Sequence, residues 1–186
     1  MRVIAGTARG TRLQTLPGTD VTRPTVDRVK EGMFSALQFI LPGARVLDLF
    51  AGSGQLGIEA LSRGAASCVF VDENRGAVQV VRHNLEAAGL ADRAQVFQTG
   101  AQGFVAAAAE QFDILLLDPP YRKGTLQALL PALDRVTAPD GVLLCESERE
   151  AKLPDQMGAL RLKKQYRYGT VLVSRYEKED IEGEPE

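Results

Sequence analysis

A chain of 186 residues, 45% hydrophobic and 25% charged, is long enough to bury one substantial core and has the make-up of a globular domain in water. No stretch nears the ~20 apolar residues of a membrane span, and Met1 to Gly6 lacks the apolar core of about 7–15 residues of a secretory signal, so a cytoplasmic protein is expected. Cys68 and Cys145 each sit inside an apolar run and His83 is the one histidine, which argues against a disulfide or a zinc cluster; no metal is expected.

The net charge of −2 conceals two ends of opposite sign. Residues 1–30 carry six basic side chains (Arg2, Arg9, Arg12, Arg23, Arg28, Lys30) against Asp20 and Asp27, a balance of +4, while residues 177–186 carry six acids against Lys178, a balance of −5. A basic segment of this kind can track a phosphate backbone, and Arg161, Lys163, Lys164 and Arg167 form a second basic group. The acidic end is expected to be a disordered tail.

Taken in order, residues 1–24 mix short β-like pieces with Gly6, Gly10, Pro17 and Gly18, which predicts a small hairpin or extended arm rather than a core element. Val26, Val29, Met33, Phe34, Leu37 and Ile40 then repeat at helical spacing and predict an amphipathic helix ending before Pro42-Gly43. From Arg45 onward strands and helices alternate. Strands are expected over 45–50, 67–72, 94–97, 112–117 and 141–146, and helices over 55–63, 74–88, 103–110 and 125–136. Leu160 to Tyr168 and Thr170 to Tyr176 flank Gly169 and predict a closing antiparallel hairpin. The fold class is α/β: a mainly parallel, seven-stranded Rossmann-like sheet with that hairpin at its end. The expected organisation is a basic, RNA-contacting extension over 1–43, the Rossmann-like domain over 44–176, and the tail.

Two stretches carry chemistry. Val46-Leu-Asp-Leu-Phe50 breaks into Ala51-Gly-Ser-Gly54 and resumes at helical spacing, which is the strand, tight loop and helix of a nucleotide site. Gly52 and Gly54 let backbone turn left-handed and let a ligand lie on it. Asp72, twenty residues past Gly52 at the end of the next strand, can accept hydrogen bonds from ribose hydroxyls. A nicotinamide dehydrogenase would explain these features equally well. Asp48 favours S-adenosylmethionine, because a carboxylate there suits an ammonium group and repels a pyrophosphate.

Asp118-Pro-Pro-Tyr121 directly follows the apolar fourth strand, beside the glycine loop if the sheet is doubly wound. An exocyclic amino group on a base is a poor nucleophile, because its lone pair is delocalised into the ring. The Asp118 carboxylate and the Pro119 carbonyl can accept its two N–H bonds and turn that lone pair toward a methyl group. Two prolines hold the acceptors in place, and Tyr121 can stack on an extruded base. Guanine N2, adenine N6 and cytosine N4 all suit this arrangement. A non-catalytic RNA-binding factor that kept the fold is the alternative from another class.

The chain resembles the bacterial RsmD family. The resemblance rests on Met1-Arg-Val-Ile-Ala-Gly6, Arg23-Pro-Thr-Val-Asp-Arg28, Val46 to Gly54 with Leu56-Gly57, Ala60 to Ala65, Phe70-Val-Asp72, Leu117 to Tyr121 and Tyr168-Gly169. It implies a class I methyltransferase moving a methyl group from S-adenosyl-L-methionine to N2 of a guanine in 16S ribosomal RNA, naked or within a partly assembled small subunit. By position it implies that Asp48, Phe50, Gly52, Gly54, Asp72, Ala101 and Asp118 hold the cofactor. Asp118, Pro119 and Tyr121 would be catalytic, and Arg12, Arg23, Thr25, Arg28, Pro120 and Tyr121 would contact RNA. Where relatives often place Asp or Asn against the adenine, this chain has Gly100, which leaves backbone or water to recognise that ring.

Overall fold

The structure, a computed structural model, describes residues 1–18, 24–120 and 124–179, the side chains of Pro24 and Thr25 apart. An eight-stranded sheet in the order β3-β2-β1-β4-β5-β8-β7-β6 organises the chain. β1 (Arg45–Leu49), β2 (Ser67–Asp72), β3 (Ala94–Gln98), β4 (Phe112–Leu117) and β5 (Thr137–Glu148) are mutually parallel; β8 (Val171–Lys178), β7 (Leu160–Tyr168) and β6 (Gln156–Met157) add antiparallel. Strand order reverses between β1 and β4, and crossovers that run in opposite directions from neighbouring strands open a crevice at their carboxyl ends.

Side-chain alternation builds a core on each face. Val46, Cys68, Phe70, Ile114, Leu116, Val142 and Leu144 pack with α1 (Pro24–Leu37), α2 (Gln55–Ser62) and α3 (Arg75–Ala87). Leu47, Leu49, Val69, Val71, Leu115, Leu117, Leu143 and Cys145 pack on the other side with α4 (Ala101–Ala107), α5 (Thr125–Leu129) and α6 (Leu133–Val136). Close approach sets the seat of α2: a Cβ on Gly57 would lie 2.3 Å from the Phe70 ring and 2.7 Å from Cys68 Sγ, so only glycine lets this helix sit on β2. Among the described residues no helix is long and apolar enough to cross a membrane.

Several details differ from expectation, among them the N-terminal hairpin, which is part of the core, and β5, which begins at Thr137 and not at Gly141. The sheet has eight strands, because the two-residue β6 pairs with Arg161 and Leu160; two residues carry no periodic signal. Residues 125–136 form two short helices joined by a 3₁₀ turn over 130–132, where Pro131 has no N–H to give and its ring cannot follow an α-helical turn. α4 starts at Ala101, as the Gly100 carbonyl accepts the Phe104 N–H at 3.0 Å. β8 runs to Lys178 and Glu179 pairs with Arg161 and Lys163, so the sheet takes in the start of the acidic segment and part of the second basic group; residues 180–186 lie outside the described residues.

The N-terminal hairpin, joined by the Arg2–Arg12 bridge, contributes to the core: Val3, Ala8 and Leu13 are buried. Its anchor is the fully buried Glu59 of α2, whose carboxylate accepts the Ile4 and Ala5 N–H groups (2.9 and 3.0 Å) and faces Arg63 Nε at 2.8 Å and the buried Lys30 Nζ at 3.4 Å. Lys30 also donates to the Arg2 carbonyl at 3.0 Å. One carboxylate thus ties the arm, α1 and α2 together. Glu59→Ala should lose about 3–5 kcal/mol in urea unfolding, because Lys30 stays buried without its counter-charge, whereas Lys30→Met/Glu59→Leu should lose less. An unchanged midpoint for Glu59→Ala would contradict this role.

Candidate active site

β1 enters the glycine loop through a strained residue. Phe50 has φ 64, a left-handed conformation that an aromatic side chain adopts only under constraint, and Gly52 follows at φ 56. The constraint is visible in the hydrogen bonds. Ala51 N–H donates to the Val71 carbonyl at 3.0 Å, Gly52 N–H to Asp72 Oδ2 at 2.9 Å and Gly54 N–H to the Ala51 carbonyl at 2.7 Å. Below the loop, Asp48 Oδ2 accepts the Gly57 N–H in the first turn of α2 at 2.9 Å. From the side, the buried Asn84 of α3 donates to the Ser53 carbonyl at 2.8 Å and exchanges two bonds with the Gln14 backbone, so the arm and the loop share one anchor.

Above the loop lies a cleft of about 1070 Å³ along the carboxyl edge of the sheet. Its floor is acidic, for a reason that lies in the pleat. Residues 46, 70, 114, 116, 142 and 144 point to one face, and Asp48, Asp72, Asp118 and Glu146 continue those same rows on four adjacent strands. Loss of water, against the bond from Gly57 and with a smaller push from the charge of Asp72, brings the Asp48 carboxyl up to about 7. Desolvation pushes Asp118 up to about 8, with smaller contributions from Glu146 and Asp48. Carboxyls held so far above their ordinary range favour a cation bound among them. Asp72 differs: Gly52 and Asn74 N–H groups both point at its carboxylate, from 2.9 and 2.8 Å.

The cleft fits a nucleoside bearing positive charge. No atom lies within 4 Å of where a Gly52 Cβ would stand, so the bare backbone faces open space that a side chain would fill. Asp72 and Glu73 at the end of β2 and Gly100, Ala101 and Gln102 at the start of α4 line one end, and Asp118, Pro119, Pro120 and Glu146 line the other.

The structure brings Asp48, Phe50, Gly52, Asp72, Ala101, Asp118, Pro119 and Pro120 to this one cleft. Gly54 does not line it; at φ 79 it turns the chain into α2, and a Cβ there would press on Val81 and Ile58 at 3.2–3.3 Å. Arg12 and Arg28 are exposed and lie outside the cleft lining. Arg23, Tyr121 and the side chain of Thr25 lie outside the described residues. Sequence reasoning overlooked two sets of lining residues. Met1, Leu16, Lys30 and Met33 form a wall from the arm and α1, which no local motif signals. Glu146 was legible as the acid closing the apolar run 142–145, in the place that Asp118 holds after 114–117.

Known proteins resemble the chain over nearly its whole length. The family model described as Conserved hypothetical protein 95 matches residues 1–177. The Bacillus subtilis (strain 168) protein YlbH is 43% identical over 183 residues, covering 96% of this chain and 99% of the relative. Ribosomal RNA small subunit methyltransferase D of Escherichia coli (strain K12) is 35% identical over 181 residues, covering 96% and 90%. Among solved structures, yhhF from Escherichia coli superposes with a TM-score of 0.86 at 35% identity, covering 96% of this chain and 98% of that one. With a family match and full-length relatives on both counts, the chain belongs to the RsmD family, that of ribosomal RNA small subunit methyltransferase D.

Proposed function

We propose that the protein is a ribosomal RNA methyltransferase that takes its methyl group from S-adenosyl-L-methionine and places it on the exocyclic N2 of a guanine in the small-subunit RNA. One observation carries this reading: Asp118-Pro119-Pro120 stands at the end of β4, beside the glycine loop of β1, in a cleft whose carboxylates call for a cation. The full-length relative named for small-subunit ribosomal RNA supports the substrate class.

The cofactor supplies an electrophilic methyl on a sulfonium. Asp72 retains lone pairs for ribose hydroxyls beyond those that Gly52 and Asn74 engage, and Gly52 and Phe50 offer backbone to the methionyl part. Ala101, at the start of α4, borders the adenine, with the Gly100 and Ala101 backbone as its contact in place of a polar side chain. Asp118 and the Pro119 carbonyl accept the two N–H bonds of the guanine amino group. That holds the nitrogen lone pair out of conjugation, and the Asp118 charge favours the positive character the nitrogen gains. Cys68 and Cys145 are buried within strands, so no thiol of the described residues reaches the cleft as a nucleophile and transfer is direct. Arg12 and Arg28, both exposed, together with Arg23 and Thr25 are the contacts we assign to the RNA backbone, and Pro120 and Tyr121 those we assign to the base.

Cofactor affinity acquires a pH dependence of definite sign. Asp48 and Asp118 are partly protonated in the free cleft because their carboxyls sit at about 7 and about 8. A bound cation favours the charged carboxylates and expels those protons, so affinity rises with pH below these values. Calorimetry should find S-adenosylmethionine binding roughly tenfold tighter at pH 7.5 than at pH 6, with proton release. S-adenosylhomocysteine has no sulfonium charge and should show a shallower rise. Equal affinity for S-adenosylmethionine at both pH values would contradict a cation among these carboxyls.

Asp118 carries the chemical step. Asp118→Ala should slow single-turnover methylation of the RNA, at saturating cofactor, by about 10²–10⁴, the scale of one positioned polar group. Asp118→Asn keeps an acceptor oxygen without the charge and should fall between. A wild-type rate for Asp118→Ala would overturn the mechanism.

A further inference from the structure

Glu146 has no part in the chemistry above, yet it borders the same cleft as Asp118. Its placement follows from register. Leu117 of β4 pairs with Cys145 of parallel β5, so Asp118 and Glu146 occupy the next rung, on strands about 4.8 Å apart. Both continue rows (Ile114 and Leu116; Val142 and Leu144) that face the same side of the sheet. With its Watson–Crick edge laid along β4 and β5, a base whose amino group reaches Asp118 and the Pro119 carbonyl presents the ring atom next to it on that edge to β5.

That neighbouring atom distinguishes the bases. On that edge of guanine the atom next to the amino group is N1–H, a donor, and N3, its other neighbour, faces away. In adenine and cytosine the nitrogen beside the amino group is bare and accepts. A carboxylate, which only accepts, pairs with the first and repels the lone pair of the others. Two adjacent acceptors on β4 and β5 match the two adjacent donors of a guanine edge.

We infer that Glu146 is the specificity-determining residue of this site, accepting the guanine N1–H while Asp118 and Pro119 hold the amino group. The inference rests on the guanine-N2 reading and deepens it, since Asp118-Pro-Pro alone serves any exocyclic amine. Leaving a desolvated carboxylate against a bare ring nitrogen is the kind of mismatch that sites discriminate strongly.

2-Aminopurine keeps the N2 amino group but has a bare N1 and no O6, so the part of its discrimination that a Glu146 substitution removes reports the contact. Mass spectrometry of the wild-type product first fixes the methylated position. RNA carrying guanine or 2-aminopurine there is then compared with wild-type and Glu146→Gln enzymes. Wild type should prefer guanine by about 10²–10⁴ in kcat/KM. Glu146→Gln offers either an amide oxygen or an amide N–H and should shrink that preference at least roughly tenfold, both RNAs being compared at saturating cofactor. A wild-type preference below roughly tenfold, or a preference that Glu146→Gln leaves unchanged, overturns the role of Glu146 while N2-methylguanosine as product upholds the guanine-N2 reading. A product other than N2-methylguanosine overturns both. If the Glu146→Gln enzyme does not bind cofactor, Glu146→Ala takes its place in the same comparison, with the same threshold.

Discussion

A parallel sheet buried on both faces leaves charge one place to go, the ends of its strands. β1, β2, β4 and β5 have apolar, buried centres (46–47, 68–71, 114–117 and 142–145), with Asp48 the buried charged side chain of β1, and their carboxyl ends open where the strand order reverses. The pleat then aligns four carboxylates on one face. Asp48 and Asp118 sit where water is scarce, so their carboxyls rise to about 7 and about 8 and the cleft is primed for positive charge. The affinity for a cationic nucleoside and the acceptors for an amino group therefore have one structural origin.

Around that edge the loop is held from three sides. Asp72 grips Gly52, Asp48 grips the first turn of α2, and Asn84 grips Ser53. Such restraint is what keeps Phe50 at a positive φ, a strain of about 1–3 kcal/mol that persists only where neighbours fix it. Asn84 and Glu59 extend the same framework to the N-terminal arm, so the segment assigned to RNA is packed against the segment assigned to the cofactor. Met1 and Leu16 at the cleft wall are the direct result.

Much of this was legible in the sequence. Apolar runs of four to six residues separated by helical stripes specify β1 to β4 within a residue or two and the centre of β5, and a glycine loop, an acid twenty residues on and Asp-Pro-Pro after a buried strand mark the three points that converge. What escaped reading has physical causes. Glu146 looks like an ordinary strand-ending acid until the register of β4 against β5 sets it beside Asp118. Lys30 and Glu59 carry no local signal of their pairing, since burial of an ion pair depends on what the distant arm covers. The two-residue β6 and the turn at Pro131 arise from tertiary pairing and a missing N–H, below the length over which periodicity speaks.

Nucleoside mass spectrometry of small-subunit ribosomal RNA from cells lacking this protein tests the assignment most directly. Loss of N2-methylguanosine at one position, restored by the wild-type chain and not by Asp118→Ala, is the expected result. An unchanged set of N2-methylguanosines would contradict it.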